Sequence, residues 1–243
     1  MNHDLRQFLS DLRHRLAPAA APDPLPADTE SAARQTPPHA DLVETFRAAA
    51  AAAGVSVAIC DEPAWPDHAS AALTPLDPAA PRPDATLLIR DTLPERLRRR
   101  LPDLERLLAS AGIAIARPDD DAELFAAGAA ITGIAAAVAE TGSLIWHAGP
   151  GAPRAATLVP PLHVAVVAVE QIVADLLDYF VLLSTRPLAT CPTPRSFPGA
   201  AHSHRLPSHL NIITGPSKTA DIEGVLVTGV HGPGRVRAIL VRA

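Results

Sequence analysis

Apolar residues in this chain follow a helical rhythm at first and then short β-like runs separated by helical stretches. Leu5, Phe8, Leu9, Leu12 and Leu16 fall on one stripe of an amphipathic helix. Behind it, Ala17–Pro38 carries prolines at 18, 22, 24, 26, 37 and 38 and almost no large apolar residue. Such a segment cannot build a core, so an extended linker is expected. The pattern therefore predicts a tethered N-terminal helix and linker over 1–38 and one domain over 39–243. The stripe must cover its own domain or a neighbouring chain, which makes homo-oligomerisation through this helix one expectation.

The domain opens with Leu42, Val43 and Phe46, a helix prolonged by an alanine run and ended by Gly54. Val55–Ile59 reads as a strand, Pro63–Pro83 as a proline-broken excursion and Thr86–Ile89 as a second strand. Helices are expected over Pro94–Arg100 and Pro102–Ser110, a third strand over Ile113–Ala116 and a short helix over Asp121–Ala127. Strands alternating with helices at this spacing predict an α/β fold, with a single largely parallel sheet and helices on both faces. Arg96, Arg98, Arg99 and Arg100 read as a solvated basic helix face.

From Ala129 the rhythm changes. Ala135–Ala139 is a run of small residues, Glu140-Thr141-Gly142 a break, and Leu144–Trp146 a short strand. His147–Pro153 reads as a mobile flap and lacks the glycine spacing of a dinucleotide fingerprint. His163–Val169 is the most strand-like run, and Ile172–Leu183 has the apolar spacing of a helix with a wide buried face. Arg186–Pro207 is a proline-rich loop. Asn211–Thr214 reads as a buried strand, Gly215-Pro216-Ser217-Lys218 as a turn, and Thr219–Glu223 as the first turns of a helix that Gly224 can end.

Composition narrows the function classes. Hydrophobic residues make up 48% of the 243, aromatics only 3%, so the core should be closely spaced aliphatic packing. A net charge of −5 argues against nucleic-acid binding. The two cysteines, Cys60 and Cys191, have no metal-ligand spacing, so neither a disulfide framework nor a metal site is expected. No run is long and apolar enough to span a membrane, and a cytoplasmic protein without membrane partners is the expectation.

Candidate chemistry concentrates at two breaks. If both apolar runs are parallel strands, Glu140–Ser143 and Gly215–Lys218 lie side by side at the carboxyl edge of the sheet, where α/β folds collect ligands. Glu140 is the candidate acid, base or nucleophile; its alternative role is to cap backbone N–H groups or pair with an arginine. Backbone N–H groups after Pro216, with Ser217, Lys218 and Thr219, could hold a carboxylate or phosphate at a helix start, unless the junction is simply a capped turn. Arg154 could add positive charge from the flap. Asp221 reads as a first-turn residue or a partner for Lys218. His163 and His231 are read as structural before ligating. His202, His204 and His209 lack cysteine or acidic companions, so no zinc is expected there. Ser143 or Ser217 in a Ser-His-Asp triad lacks the nucleophile-elbow context.

Three segments in order carry a resemblance. Ala139-Glu140-Thr141-Gly142-Ser143, Arg154 to His163 (RAATLVPPLH), and GPSKTADIE from Gly215 followed by GVHGP from Gly229 are similar to the lactate-utilization protein C family and its LUD domain, over roughly residues 125–243. The resemblance implies the fold shared by sugar-phosphate isomerases, CoA transferases and formyltetrahydrofolate cyclo-ligase. It also implies a subunit of a system that oxidises L-lactate to pyruvate with iron–sulfur partner proteins. On that reading the chain holds no cofactor itself, and the clusters sit on partners. Thr141, Gly142, Ser143, Arg154, Gly215, Ser217, Lys218, Thr219 and His231 would contact a small anionic metabolite. Two other readings remain open: a stand-alone transferase or isomerase using Glu140 on a CoA thioester or phosphorylated molecule, and a non-catalytic assembly module.

Overall fold

A computed structural model describes residues 36–37, 40–74, 83–149, 151–185, 207, 209–219 and 227–243, together with residue 7. Contacts divide the chain into Met1–Gln35 and Thr36–Ala243, and the fold below is that of the second unit. The expected stripe helix, nearly all of its linker, and the loop with Cys191, His202 and His204 lie outside the described residues.

The helices are α1 (Leu42–Ala52), α2 (Trp65–Ala72), α3 (Glu95–Arg98), α4 (Leu101–Ser110), α5 (Asp121–Ala126) and α6 (Leu176–Thr185). The first strands are β1 (Ser56–Asp61), β2 (Ala85–Ile89), β3 (Ala114–Ala116), β4 (Ala129–Gly133), β5 (Ala136–Val138) and β6 (Ser143–Ala148). The rest are β7 (Leu162–Ala168), β8 (Ile172–Val173), β9 (His209–Ile213), β10 (Lys218–Thr219), β11 (Val227–Thr228) and β12 (Arg235–Arg242). Six of them form an all-parallel sheet in the order β1-β12-β7-β4-β2-β3. This is the expected α/β architecture, with helices on both faces.

Alternation along the central strands sorts the core into two layers. Val164 and Val166 of β7 and Ile239 and Val241 of β12 face α2, α3 and α4, where Trp65, Leu97, Leu104 and Leu108 are buried against them. Ala165, Val167, Ala238 and Leu240 point the other way, toward Phe46 and Ala50 of α1 and Ala137 and Leu144 of a second sheet. That second sheet has the order β8-β5-β6-β9, and sequence reading did not foresee it. Its outer face packs on α6, whose Tyr179 is buried beside Ala136, Val138 and Ile145.

Several local expectations are corrected. The excursion over Pro63–Pro83 contains α2, because Pro66 sits in the first turn, where a missing N–H costs nothing, and Trp65 anchors it with no exposure. AAITG at Ala129–Gly133, for which the pattern predicted no element, is a fully buried central strand. Ile172–Val173 pairs with β5 as a strand, so the helix begins only at Leu176. Asn211–Ile213 belongs to the edge strand of the second sheet and is only partly buried. Arg96 is no solvated face: it reaches Glu62 at 2.8 Å, Glu170 at 2.9 Å and the Val241 carbonyl at 3.2 Å.

Trp65→Ala is expected to cost about 3–5 kcal/mol, the usual range for emptying a ring from a packed core. Urea denaturation checks this. A loss under about 1 kcal/mol would mean that α2 does not belong to the core.

Candidate functional site

The chain leaves β4 at the carboxyl edge of the parallel sheet and turns back over its second face as β5. At the end of β5, the Ala139 and Glu140 N–H groups donate to the Val173 and Ala174 carbonyls, continuing the β5–β8 pairing. Gly142 then packs against the last turns of α1. A Cβ there would stand 2.2 Å from the Ala50 nitrogen, and the residue has φ +65°. Only glycine tolerates both conditions. Gly215, at φ +93°, approaches the same helix end, where a Cβ would stand 2.3 Å from the Ala53 carbonyl oxygen.

The two breaks are therefore neighbours, as expected from sequence, and hydroxyls join them. Thr141 Oγ1 lies 2.7 Å from Ser143 Oγ, which lies 2.7 Å from Thr214 Oγ1. Ser143 is buried, Thr141 half-buried and Thr214 exposed, so the buried hydroxyl of Ser143 bridges two that reach toward the surface. Thr214 was not singled out from sequence; its place directly before the glycine turn is the signal that could have found it.

Their position is a correction. β5 and β9 are each antiparallel to β6, so they run the same way, but in the second sheet. The end of α1 that both glycines touch leads through Gly54 into the first residue of β1. The Ser217 N–H donates to the Pro233 carbonyl at 2.9 Å, two residues before β12 begins. The site thus lies at the amino edge of the parallel sheet. At the carboxyl edge, Arg96 ties together the segments after β1 and β7 and the end of β12. Its guanidinium holds the Glu170 carboxyl below the usual carboxylate range.

The expected helix start after Pro216 is also replaced. Lys218–Thr219 pair antiparallel with Val227–Thr228, and Asp221 and Glu223 fall outside the described residues. The Ser217 N–H is spent on Pro233, and the Ser217 carbonyl accepts the Gly229 N–H at 2.9 Å. GPSK and GVHGP therefore brace one another. The Lys218 ammonium lies 3.9 Å from where a Cβ on Gly54 would stand, beside the C-terminal end of α1. That end carries partial negative charge, which favours a cation there.

The remaining candidates are dispersed. Glu140 is half-buried at the end of β5, and His231 is exposed in the loop before β12. Arg154 is exposed at the start of a 3-10 turn whose Thr157 accepts a hydrogen bond from Asn211 Nδ2 at 3.2 Å. His163 is wholly buried between the sheets, with Nε2 2.8 Å from Thr132 Oγ1 and Nδ1 without a partner. Burial pushes its imidazole down to about 4. On the outer face His147 Nε2 meets the Tyr179 hydroxyl at 2.5 Å, and burial lowers that imidazole as well. Among the described residues no group of three histidine, cysteine or acidic side chains could hold a metal.

Gly142→Ala should destabilise the fold by more than about 2 kcal/mol, since strain at positive φ adds to a backbone clash. A calorimetric melting curve unchanged from wild type would refute that packing. For His163, the native imidazole resists protonation down to pH about 4, while the unfolded chain takes up a proton near 6.5. Stability should therefore fall as pH drops from about 6.5 to 4, by roughly 3 kcal/mol from this residue. His163→Gln should flatten that slope in urea melts at pH 7 and 4.5; an unchanged slope assigns it to the carboxylates.

The LUD domain family model matches residues 88–241. Among curated proteins, Lactate utilization protein C of Deinococcus radiodurans is 36% identical over 125 residues, which is 51% of this chain and 51% of that protein. The protein of the same name from an Exiguobacterium strain is 36% identical over 106 residues, 44% of this chain and 40% of its own. The one from Bacillus subtilis is 34% identical over 104 residues, 43% and 38% respectively. The matches thus span about half, or less, of these relatives' length. Among solved structures, a crystal structure of a DUF162 family protein from Deinococcus radiodurans superposes with TM-score 0.51 at 20% identity, covering 82% of this chain and 96% of that one. That likeness concerns the fold alone. With the family model matching well over half of its length, this chain belongs to the LUD domain family.

Proposed function

We propose that the chain is a lactate-utilization subunit, binding a small organic acid or organising a complex that oxidises L-lactate to pyruvate with iron–sulfur partner proteins. The observation that carries this reading is the similarity to relatives named Lactate utilization protein C. The geometry adds support, because the family-like segments at 139–143, 215–218 and 229–233 pack at one edge of the fold.

Oxidation of lactate removes two electrons and two protons, so an electron acceptor is required. A four-cysteine cluster cannot be assembled from two cysteines. Burial pushes the Cys60 thiol up to about 11, which leaves it protonated near neutral pH. The reading therefore assigns the electron-carrying groups to the partner chains, with no cofactor on this one. Lys218 and the hydroxyls of Ser217, Thr141 and Thr214 are the groups that would meet the carboxylate and hydroxyl of a 2-hydroxy acid. A single exposed cation opposed by a helix C-terminus supports only millimolar to micromolar binding. Such affinity suits a site that a partner completes. One observation favours the organising role over turnover by the isolated chain: Leu177 and Phe180 of α6 present large apolar surface to solvent.

Calorimetric titration with L-lactate and pyruvate should give weak binding that Lys218→Ala lowers by about fivefold or more. Native purification of the tagged chain should co-purify iron. The reading fails if neither acid binds at tens of millimolar and no iron-bearing protein accompanies the chain.

A further inference from the structure

The strand β12 carries two arginines that the signature turns do not use. Arg235, Arg237, Ile239 and Val241 alternate onto the face covered by α2 and α4, as the burial of Ile239 and Val241 in that layer requires. Arg237 Nη1 donates to the Ala72 carbonyl, in the last turn of α2, at 2.7 Å. Its Nη2 is buried with no hydrogen-bond partner. Among the described residues neither arginine has an ion-pair partner, although other arginines, including Arg90, Arg96 and Arg117, are paired with carboxylates. Register places Ser56 of the edge strand β1 beside Arg237, and Leu162 and Val164 of β7 beside the pair on the other side. The result is two guanidinium groups and a serine hydroxyl on one sheet face at the amino edge. A buried, unsatisfied guanidinium N–H is costly, and a second cation two residues away adds repulsion.

We propose that Arg235 and Arg237, with Ser56, form a binding site for a small oxyanion, a carboxylate or phosphate group, at the amino edge of the parallel sheet. The planar guanidinium fork matches such oxygens in pairs, and one anion between two arginines removes their repulsion while satisfying the orphaned Nη2. Arg237 is held below its ordinary range first by burial and then by Arg235, as expected for two cations that sense each other. The Ala72 carbonyl and the negative end of α2 oppose an anion on the Nη1 side, so the ligand approaches over exposed Ser56 and half-buried Arg235, and the enclosed Nη2 of Arg237 must turn toward it. This site does not require the Lys218 turn.

The test is titration of the full chain with inorganic phosphate and, separately, pyruvate, followed by amide shifts of Ser56 and Arg235. Arg235→Gln and the charge-retaining Arg237→Lys should each weaken the binding read at these two amides about fivefold or more, and Lys218→Ala should change that local binding less than about twofold. Preference for phosphate over pyruvate, or the reverse, identifies the class of acid. The proposal is overturned if neither anion shifts these amides at about 20 mM. It is also overturned if the arginine variants bind as wild type does. Loss of lactate binding through Lys218 alone would leave this site standing.

Discussion

The arrangement at the amino edge depends on one close contact, the seating of Gly142 and Gly215 against the backbone of the last turns of α1. With a Cβ position 2.2 Å from the Ala50 nitrogen and another 2.3 Å from the Ala53 oxygen, neither turn can retreat to admit a side chain without lifting the second sheet. That distance sets how deeply β5 and β9 lie over the parallel sheet. It also brings Ser143 within hydrogen-bond reach of both Thr141 and Thr214. The mutual bonds between Ser217, Gly229 and Pro233 then fasten the same turn to the start of β12. A helix end, two sheets and the last strand thus share one joint.

The joint lies opposite the edge at which parallel α/β sheets usually gather ligands. In this chain the usual edge is occupied by the Arg96 clamp on Glu62, Glu170 and the end of β12. Strand ends held by charge-assisted bonds cannot spread around a ligand without losing them. At the amino edge the cations are less committed. Among the described residues Lys218 faces a helix C-terminus rather than a carboxylate, and Arg237 spends one of its two terminal nitrogens on a carbonyl. The electrostatics of the two edges differ accordingly: ion pairs at one, cations short of anions at the other.

Periodicity made legible those elements whose side chains announce one face. The stripe of α1, the β-branched run of β7 and the first-turn proline of α4 all appear where the pattern placed them. It failed where burial is achieved by small residues or where proline sits harmlessly in a first turn. In β4 only Ile131 and Thr132 of AAITG are β-branched, yet parallel neighbours on both sides make it central. Pro66 looked like a breaker and is part of the start of α2. The juxtaposition of Glu140–Ser143 with Gly215–Lys218 was legible because both runs end in glycine turns. The edge was not, because antiparallel pairing through β6 aligns β5 and β9 just as a parallel sheet would. Nor was the short β10–β11 pairing, since Ser217 finds Pro233 only through tertiary approach.

The scarcity of aromatic residues explains why such a joint can form. The contacts between the two sheets include Ala130, Ala137, Ala139, Ala165 and Ala238, whose methyl groups let backbones approach where rings would hold them apart. Each of the three largest core clusters holds one large ring: Trp65 of α2, Phe46 of α1 and Trp146 of β6. Trp146 keeps its buried indole N–H unpaired, and His163 keeps Nδ1 unpaired, both on the side of the parallel sheet that the second sheet covers. Both atoms are desolvated without a compensating bond, a cost the close approach of the layers must offset. A fold assembled this way holds its turns in fixed positions. The hydroxyl chain and the cations at the amino edge are therefore presented by backbone that cannot adapt far, and a ligand there must fit the geometry already in place.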